Sequence, residues 1–316
     1  MTKKLSARIV GSWSSYAGSA FGVVRDCEMW DFNCEYYGLF MGLTGICFQT
    51  IYDKNCGAGS VTAYNWEKEH SEFLQRIGIT TDLYCDYDGN VHPTVVAEVK
   101  AAVDQGNSAV LWGVDTGEFG VIYGYDGSDG VFLVSGIGGN DSNESNPILY
   151  QNIGSHMGNV LFCQFPTAYK KREFADMVND SLKYYISHMT STEPNYGLNA
   201  YSNLLHALEN DCDSFGIRYT TGVYAERKAQ AEDFINDDVL SLYKGSDAIK
   251  KAGEHFIAVK ELYNKIHFEV LEQGFDGWNH LQKPVSLEAK KAIVPIVKEI
   301  VRREKEAVEL MRAVVK

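Results

Sequence analysis

The chain has 316 residues, 45% of them apolar and 12% aromatic, enough to bury a core in each of two domains, and no tract has the composition of long disorder. Its formal net charge of −13 is concentrated at the front: residues 1–165 carry −11 and the remainder −2. An acidic front repels phosphate backbones, which argues against nucleic acid as a partner, and attracts small cations at long range.

The first sixty residues mix aromatics (Trp13, Tyr16, Phe21, Trp30, Phe32, Tyr36, Tyr37, Phe40, Phe48, Tyr52) with many small residues. Within them, Gly38, Gly42 and Gly45 interrupt an apolar run, which predicts a close backbone approach or a helix that ends and restarts. A helix is predicted near 62–77, a strand at 79–87, a helix at 93–105 and a buried strand at 108–114. Apolar runs at 110–114, 119–125 and 131–135 are separated by Asp- and Gly-rich turns, the signature of an antiparallel meander. A polar loop at 138–146 and a last strand at 160–165 follow.

After Pro166 glycine becomes sparse, and amphipathic helices are predicted near 168–189, 197–211, 223–243, 246–273 and 286–315. In the last of these, Ile293, Ile296, Val297, Ile300 and Val301 form a stripe that offers a docking face for a partner, a second copy (a homodimer) included. The expected architecture is α+β: an N-terminal domain over 1–166 built on an antiparallel sheet, and an all-α domain over 167–316.

Seven cysteines form no C-x-x-C pair, so a zinc ribbon or thioredoxin-type motif is not indicated, and reduced thiols in a cytoplasmic protein are expected. The start of the chain lacks an apolar stretch of signal-peptide length, and no segment approaches the roughly 18 apolar residues of a membrane span. Gly136-Ile137-Gly138-Gly139 leads into a polar loop and not a helix, which argues against a dinucleotide site. The one Glu-x-x-His, Glu67 to His70, lies outside the helical part, where a di-iron bundle would need such pairs; no metal or cofactor is expected.

Gly45-Ile46-Cys47-Phe48 places a cysteine after a small-residue turn, at a predicted helix start. A helix N-terminus favours thiolate and a histidine completes the activation, so Cys47 is a candidate nucleophile; the plain alternative is a small buried hydrophobe beside Phe48. Candidate bases are His156, before the last strand, and His92, at a helix start. Glu118, beside the apolar Phe119 and Trp112, is a candidate base, and Glu118 or Asp126 a candidate orienting or substrate-binding acid. Trp30, Trp112, Phe119 and Tyr125 are candidates for an aromatic cage around a cationic ligand.

The segment GEFGVIYGYD (Gly117–Asp126) resembles the strand of the C39-like peptidases and the related butirosin-biosynthesis-H N-terminal domain, in which a histidine precedes an apolar run ending in Gly-Tyr-Asp. GLFMGLTGICF (Gly38–Phe48) resembles the segment after the nucleophile in the butirosin-H type, so the likeness extends over roughly residues 10–165. The resemblance implies a papain-like fold and a cysteine enzyme that cleaves peptides or transfers acyl groups through a thioester. The helical back resembles the helical extensions of butirosin-H-like proteins. Two positions depart from the pattern. Phe119 stands where the histidine belongs, and Ser14-Ser15-Tyr16-Ala17-Gly18-Ser19 occupies the region of the expected cysteine.

Two readings follow. In one, a rebuilt site performs acyl transfer or amide hydrolysis on a small amine- or amide-bearing molecule. In the other, a pseudoenzyme binds a small ligand without chemistry.

Overall fold

The computed structural model describes residues 1–27, 34, 36–88, 92–155, 159–210, 212–273 and 280–315. The chain divides into two compact units, one made of residues 1–40 and 65–172, the other of 41–64 and 173–316. The second unit resumes at 173, and residues 41–64 belong to it although they precede the sheet in sequence.

The first unit is α+β. It holds β1 (Thr2–Lys4), α1 (Ser15–Arg25), the start of α2 (Tyr37–Thr44), α3 (Trp66–Arg76), β2 (Ile79–Asp86), α4 (His92–Asp104), β3 (Ala109–Val114), β4 (Glu118–Asp126), β5 (Val131–Ser135), β6 (Ile148–Leu149) and β7 (Leu161–Tyr169). These seven strands form one sheet in the order β2-β7-β3-β4-β5-β6, with every pairing antiparallel. β1 pairs with residues 124–126 of β4, beyond the stretch that β3 occupies.

Each face of the sheet has its own cover. On one side Val95, Val99 and Val103 of α4 pack with Leu111, Ile122, Val134, Cys163 and Phe165. On the other, Tyr16 of α1 and Trp66 and His70 of α3 meet Phe119 and Phe162, and Phe73 of α3 packs on Tyr16 and His70. α1 is rich in small residues for a reason: side chains at Gly18 or Gly22 would overlap the carbonyl oxygens of Val10 and Arg8. The chain at 8–10 thus lies directly on the helix backbone, and Val10 N donates to Gly18 O at 3.2 Å.

A bulge in β4 decides which residues share a face. Between the pairs Ile122–Val134 and Gly124–Leu133, β4 contains one extra residue, Tyr123. Strict alternation would set Phe119 and Tyr125 on the same side; the extra residue shifts the phase and moves Tyr125 to the α4 side, among Ile122 and Phe132.

The second unit is helical. It contains the end of α2, α5 (Phe174–Met189), α6 (Gly197–Glu209), α7 (Ser214–Asp233), α8 (Leu240–Leu242), α9 (Asp247–Asn264) and α10 (Leu287–Arg312). Asp213, Ser246 and Ser286 accept backbone N–H groups at the starts of α7, α9 and α10, the usual chemistry of a helix N-terminus. Phe48, Tyr185, Phe234 and Phe256 form its aromatic centre. Both α7 and α9 run on into π-helical turns, at Phe234–Val239 and Lys265–Val270.

Residues 49–52 run extended through this helical unit, and side chains supply their backbone partners. Thr50 N donates to His188 Nε2 at 2.9 Å. Ile51 N donates to the Tyr224 hydroxyl at 2.7 Å, and that hydroxyl donates back to Ile51 O at 2.5 Å. Asn203 Nδ2 donates to Tyr52 O at 2.7 Å. A single antiparallel bridge, Ile51 with Tyr196, gives the segment only the backbone bonds Tyr52 N to Asn195 O and Gly197 N to Thr50 O, so its remaining polar groups require such substitutes.

Candidate functional site

The residues best placed for a site lie where α1 meets β4. Ser15 is the first residue of α1, and its hydroxyl donates to Glu118 Oε2 at 2.6 Å while accepting Phe119 N at 3.2 Å. Both the proton and a lone pair of this hydroxyl are therefore engaged. Glu118 is half-buried and opens β4; Phe119, the next residue, is buried.

Behind this pair stands a polar relay within the aromatic layer. The Tyr16 hydroxyl donates to Gln164 Oε1 at 2.9 Å, and Gln164 Nε2 donates to Thr81 Oγ1 at 2.9 Å and to His70 O at 3.2 Å. The His70 ring stacks on Tyr16 with centroids 3.8 Å apart. Burial holds its pKa well below the ordinary histidine value, so the imidazole is neutral at physiological pH.

Two half-buried tryptophans form the outer part of the cluster. Trp66 and Trp112 meet edge to face at 5.2 Å, and both lean on Phe119, at 5.2 and 4.9 Å. Trp112 lies directly opposite Phe119 across the β3–β4 pair, while α3 brings Trp66 and His70 together at a four-residue spacing.

The residues expected from sequence are placed as follows. Trp112, Phe119 and Glu118 come together with Ser15. Tyr125 is on the opposite face of the sheet, where its hydroxyl donates to Asp104 Oδ1 at 2.7 Å and Lys100 Nζ lies 5.2 Å from its ring centroid. It therefore shares no cage with Trp112 and Phe119. Asp126 is a turn-capping group: its carboxylate accepts Ser128 N, Ser128 Oγ, Asp129 N and Thr2 Oγ1, and these bonds hold its pKa far below the usual carboxylate range. Trp30 and His156 lie outside the described residues.

Cys47 belongs to the helical unit, in a single three-residue 3-10 turn after Gly45, so no helix N-terminus of useful length supports it. It is fully buried, and burial pushes its thiol pKa far above the ordinary value against smaller opposing effects of Lys228 and Arg227. A thiol so held is protonated at neutral pH. His92 starts α4 in the other unit, and its Nε2 is buried without a hydrogen-bond partner among the described residues.

Sequence reasoning did not single out Ser15, Tyr16, Trp66 or Gln164. The serine pair at 14–15 was visible only as the place where a cysteine is missing. The four-residue spacing of Trp66 and His70 was a readable sign that both share one helix face. Among the described residues no group of three or more His, Cys, Asp or Glu side chains is arranged to hold a metal ion, and no helix is long and apolar enough to cross a membrane. No family model, curated protein or solved structure matches the chain.

Proposed function

We propose that this chain is a non-catalytic small-ligand-binding protein on a degenerate papain-like framework, and that its ligand is a small organic cation held against Trp66 and Trp112. The observation that carries the reading is the Ser15–Glu118–Phe119 contact. The helix start and the strand that would bear a cysteine and a histidine carry a serine already bonded on both sides and a phenylalanine that takes no proton. What the junction does present is a pair of half-open indole rings on a strongly acidic unit, a combination suited to a cation. The rival, acyl transfer or amide hydrolysis through Cys47, finds no support in a fully buried thiol with a raised pKa.

Titrating the protein with choline and with its neutral carbon isostere, followed by tryptophan fluorescence, tests the ligand. Saturable quenching by choline alone, lost in Trp112→Ala, is expected; an equal response to both compounds would defeat it. The framework is tested separately in the double variant Ser15→Cys, Phe119→His. If the two positions are those of a papain-like pair, the introduced thiol alkylates rapidly near pH 6 through pairing with the imidazole. A thiol titrating near the ordinary value of about 8.5 would remove the papain-like placement and leave the ligand question standing.

A further inference from the structure

The helical unit carries two cysteines, Cys56 and Cys212, that flank a crossing of two segments far apart in the sequence. Cys56 sits in the turn that follows the buried extended segment, with φ at +50° and its S–H directed at Asp53 O, 3.4 Å away. Cys212 is half-buried and immediately precedes Asp213, the residue that caps α7 by accepting Phe215 N at 3.1 Å.

The turn at 56–57 lies directly on the first turn of α7. A side chain at Gly216 would overlap the Cys56 carbonyl oxygen and stand 2.6 Å from Gly57 Cα. One at Gly57 would stand 3.8 Å from Asp213 Oδ2. Glycines at both crossing points let the two backbones touch, with Cys56 next to Gly57 and Cys212 next to Asp213, whose carboxylate faces Gly57. Burial, then the Asp53 carboxylate and last Cys212 push the Cys56 thiol up to about 12. Metal binding does not explain the pair, since no third ligand of suitable type joins it among the described residues.

We propose that Cys56 and Cys212 are a redox pair that closes reversibly into a disulfide, with glutathione disulfide or a related small disulfide as oxidant. The more exposed Cys212 thiolate attacks one sulfur of the oxidant, forming a mixed disulfide and expelling one glutathione thiolate. Cys56 then gives up its proton to solvent and attacks the Cys212 sulfur, expelling the second glutathione. Two protein thiols and one glutathione disulfide thus become one protein disulfide and two glutathiones. The bond ties the inserted segment to the start of α7 and closes a long loop, so it stabilises the unit by constraining the unfolded chain.

The full chain, equilibrated with glutathione disulfide and then alkylated under denaturing conditions, decides the matter. Non-reducing peptide mapping should find the Cys56–Cys212 link, two of the seven thiols should become unreactive, and Tm should rise by several degrees, all reversed by dithiothreitol. Cys212→Ser, a change at a half-buried position, should fold normally and lose both the link and the Tm shift. Glutathione retained on Cys212 while Cys56 stays free, linkage of another pair, or a Tm shift that persists in Cys212→Ser would each overturn the proposal.

Discussion

The junction of α1 with β4 and the extended segment at 49–52 both place polar groups among aromatic side chains, yet they are built to opposite ends. At the junction, Glu118, Trp66 and Trp112 remain half-open, and the hydrogen bonds form a short chain around one hydroxyl. Around the segment everything is closed. Lys228 Nζ lies 2.7 Å from Glu304 Oε1, with side chains 2% and 1% exposed, and donates to Thr50 Oγ1 at 3.0 Å. Tyr185 donates to Glu304 Oε2 at 3.2 Å, and Tyr201, itself hydrogen bonded to Thr50, receives the Tyr263 hydroxyl at 3.3 Å. Half-open polar groups keep water as an alternative partner, whereas closed ones do not. The first region therefore stays open to water, and the second fixes a structure.

That contrast can be broken by mutation. Lys228→Ala should be the most damaging change, because it strands the Glu304 carboxylate inside the helical unit; about 3–5 kcal/mol of stability should be lost in urea unfolding. A paired replacement, Lys228→Met with Glu304→Leu, should recover most of that loss, since it leaves no charge behind. If Lys228→Ala costs no more than a surface change, water reaches the pair and the region is not closed. Tyr224→Phe should come next. It removes the one hydroxyl serving both Ile51 N and Ile51 O, at about 1–3 kcal/mol for each buried group left unpaired.

A pH effect of intermediate size belongs to the same unit. Burial, with a smaller contribution from Arg218, pulls the His267 pKa down to about 4, and Gln273 Nε2 donates to its Nδ1 at 3.1 Å. The neutral ring is the form that fits the fold, and the folded pKa is below the unfolded one. Its contribution is thus complete above the ordinary histidine pKa of about 6.5 and is lost as pH falls from there through the folded value. His267→Gln should flatten the fall in Tm between these limits; an unchanged slope would assign it to other groups. The smallest effect is expected at the junction. Ser15→Ala should cost about 0.5–1.5 kcal/mol by chemical denaturation, and it should leave choline quenching intact because the tryptophans are untouched.

Much of the sheet was legible in the sequence because its signals are local. The strands predicted at 79–87, 108–114, 119–125, 131–135 and 160–165 match β2, β3, β4, β5 and β7 within a few residues, β7 running on through Pro166 to Tyr169. Gly45, with φ at +82°, ends α2 before the 3-10 turn at 46–48, the expected helix that ends and restarts. α1 was hidden by its small residues, selected for backbone contact and not for periodicity. α7 starts at Ser214, well before the expected 223, and the π-helical turns after α7 and α9 shift the phase that a 3.6-residue pattern assumes. The site was harder still. One inserted residue, Tyr123, determines that Tyr125 leaves the side of Phe119, and alternation alone cannot show a bulge. The meeting of Ser15 with Glu118, 103 residues apart, has no local signal at all.

The inserted segment also sets an order of events in time. Residues 49–52 leave the ribosome long before their partners: His188 follows Thr50 by 138 residues, and Tyr224 follows Ile51 by 173. At synthesis rates of about 5–20 residues per second, Ile51 waits roughly 10–35 s for its partner to be made. Throughout that interval the apolar run at 41–48 has no finished helical unit to enter. Growing chains of this protein thus pass through a stage in which an aggregation-prone stretch is exposed, and a chaperone that holds such stretches would act on it before α7 is complete.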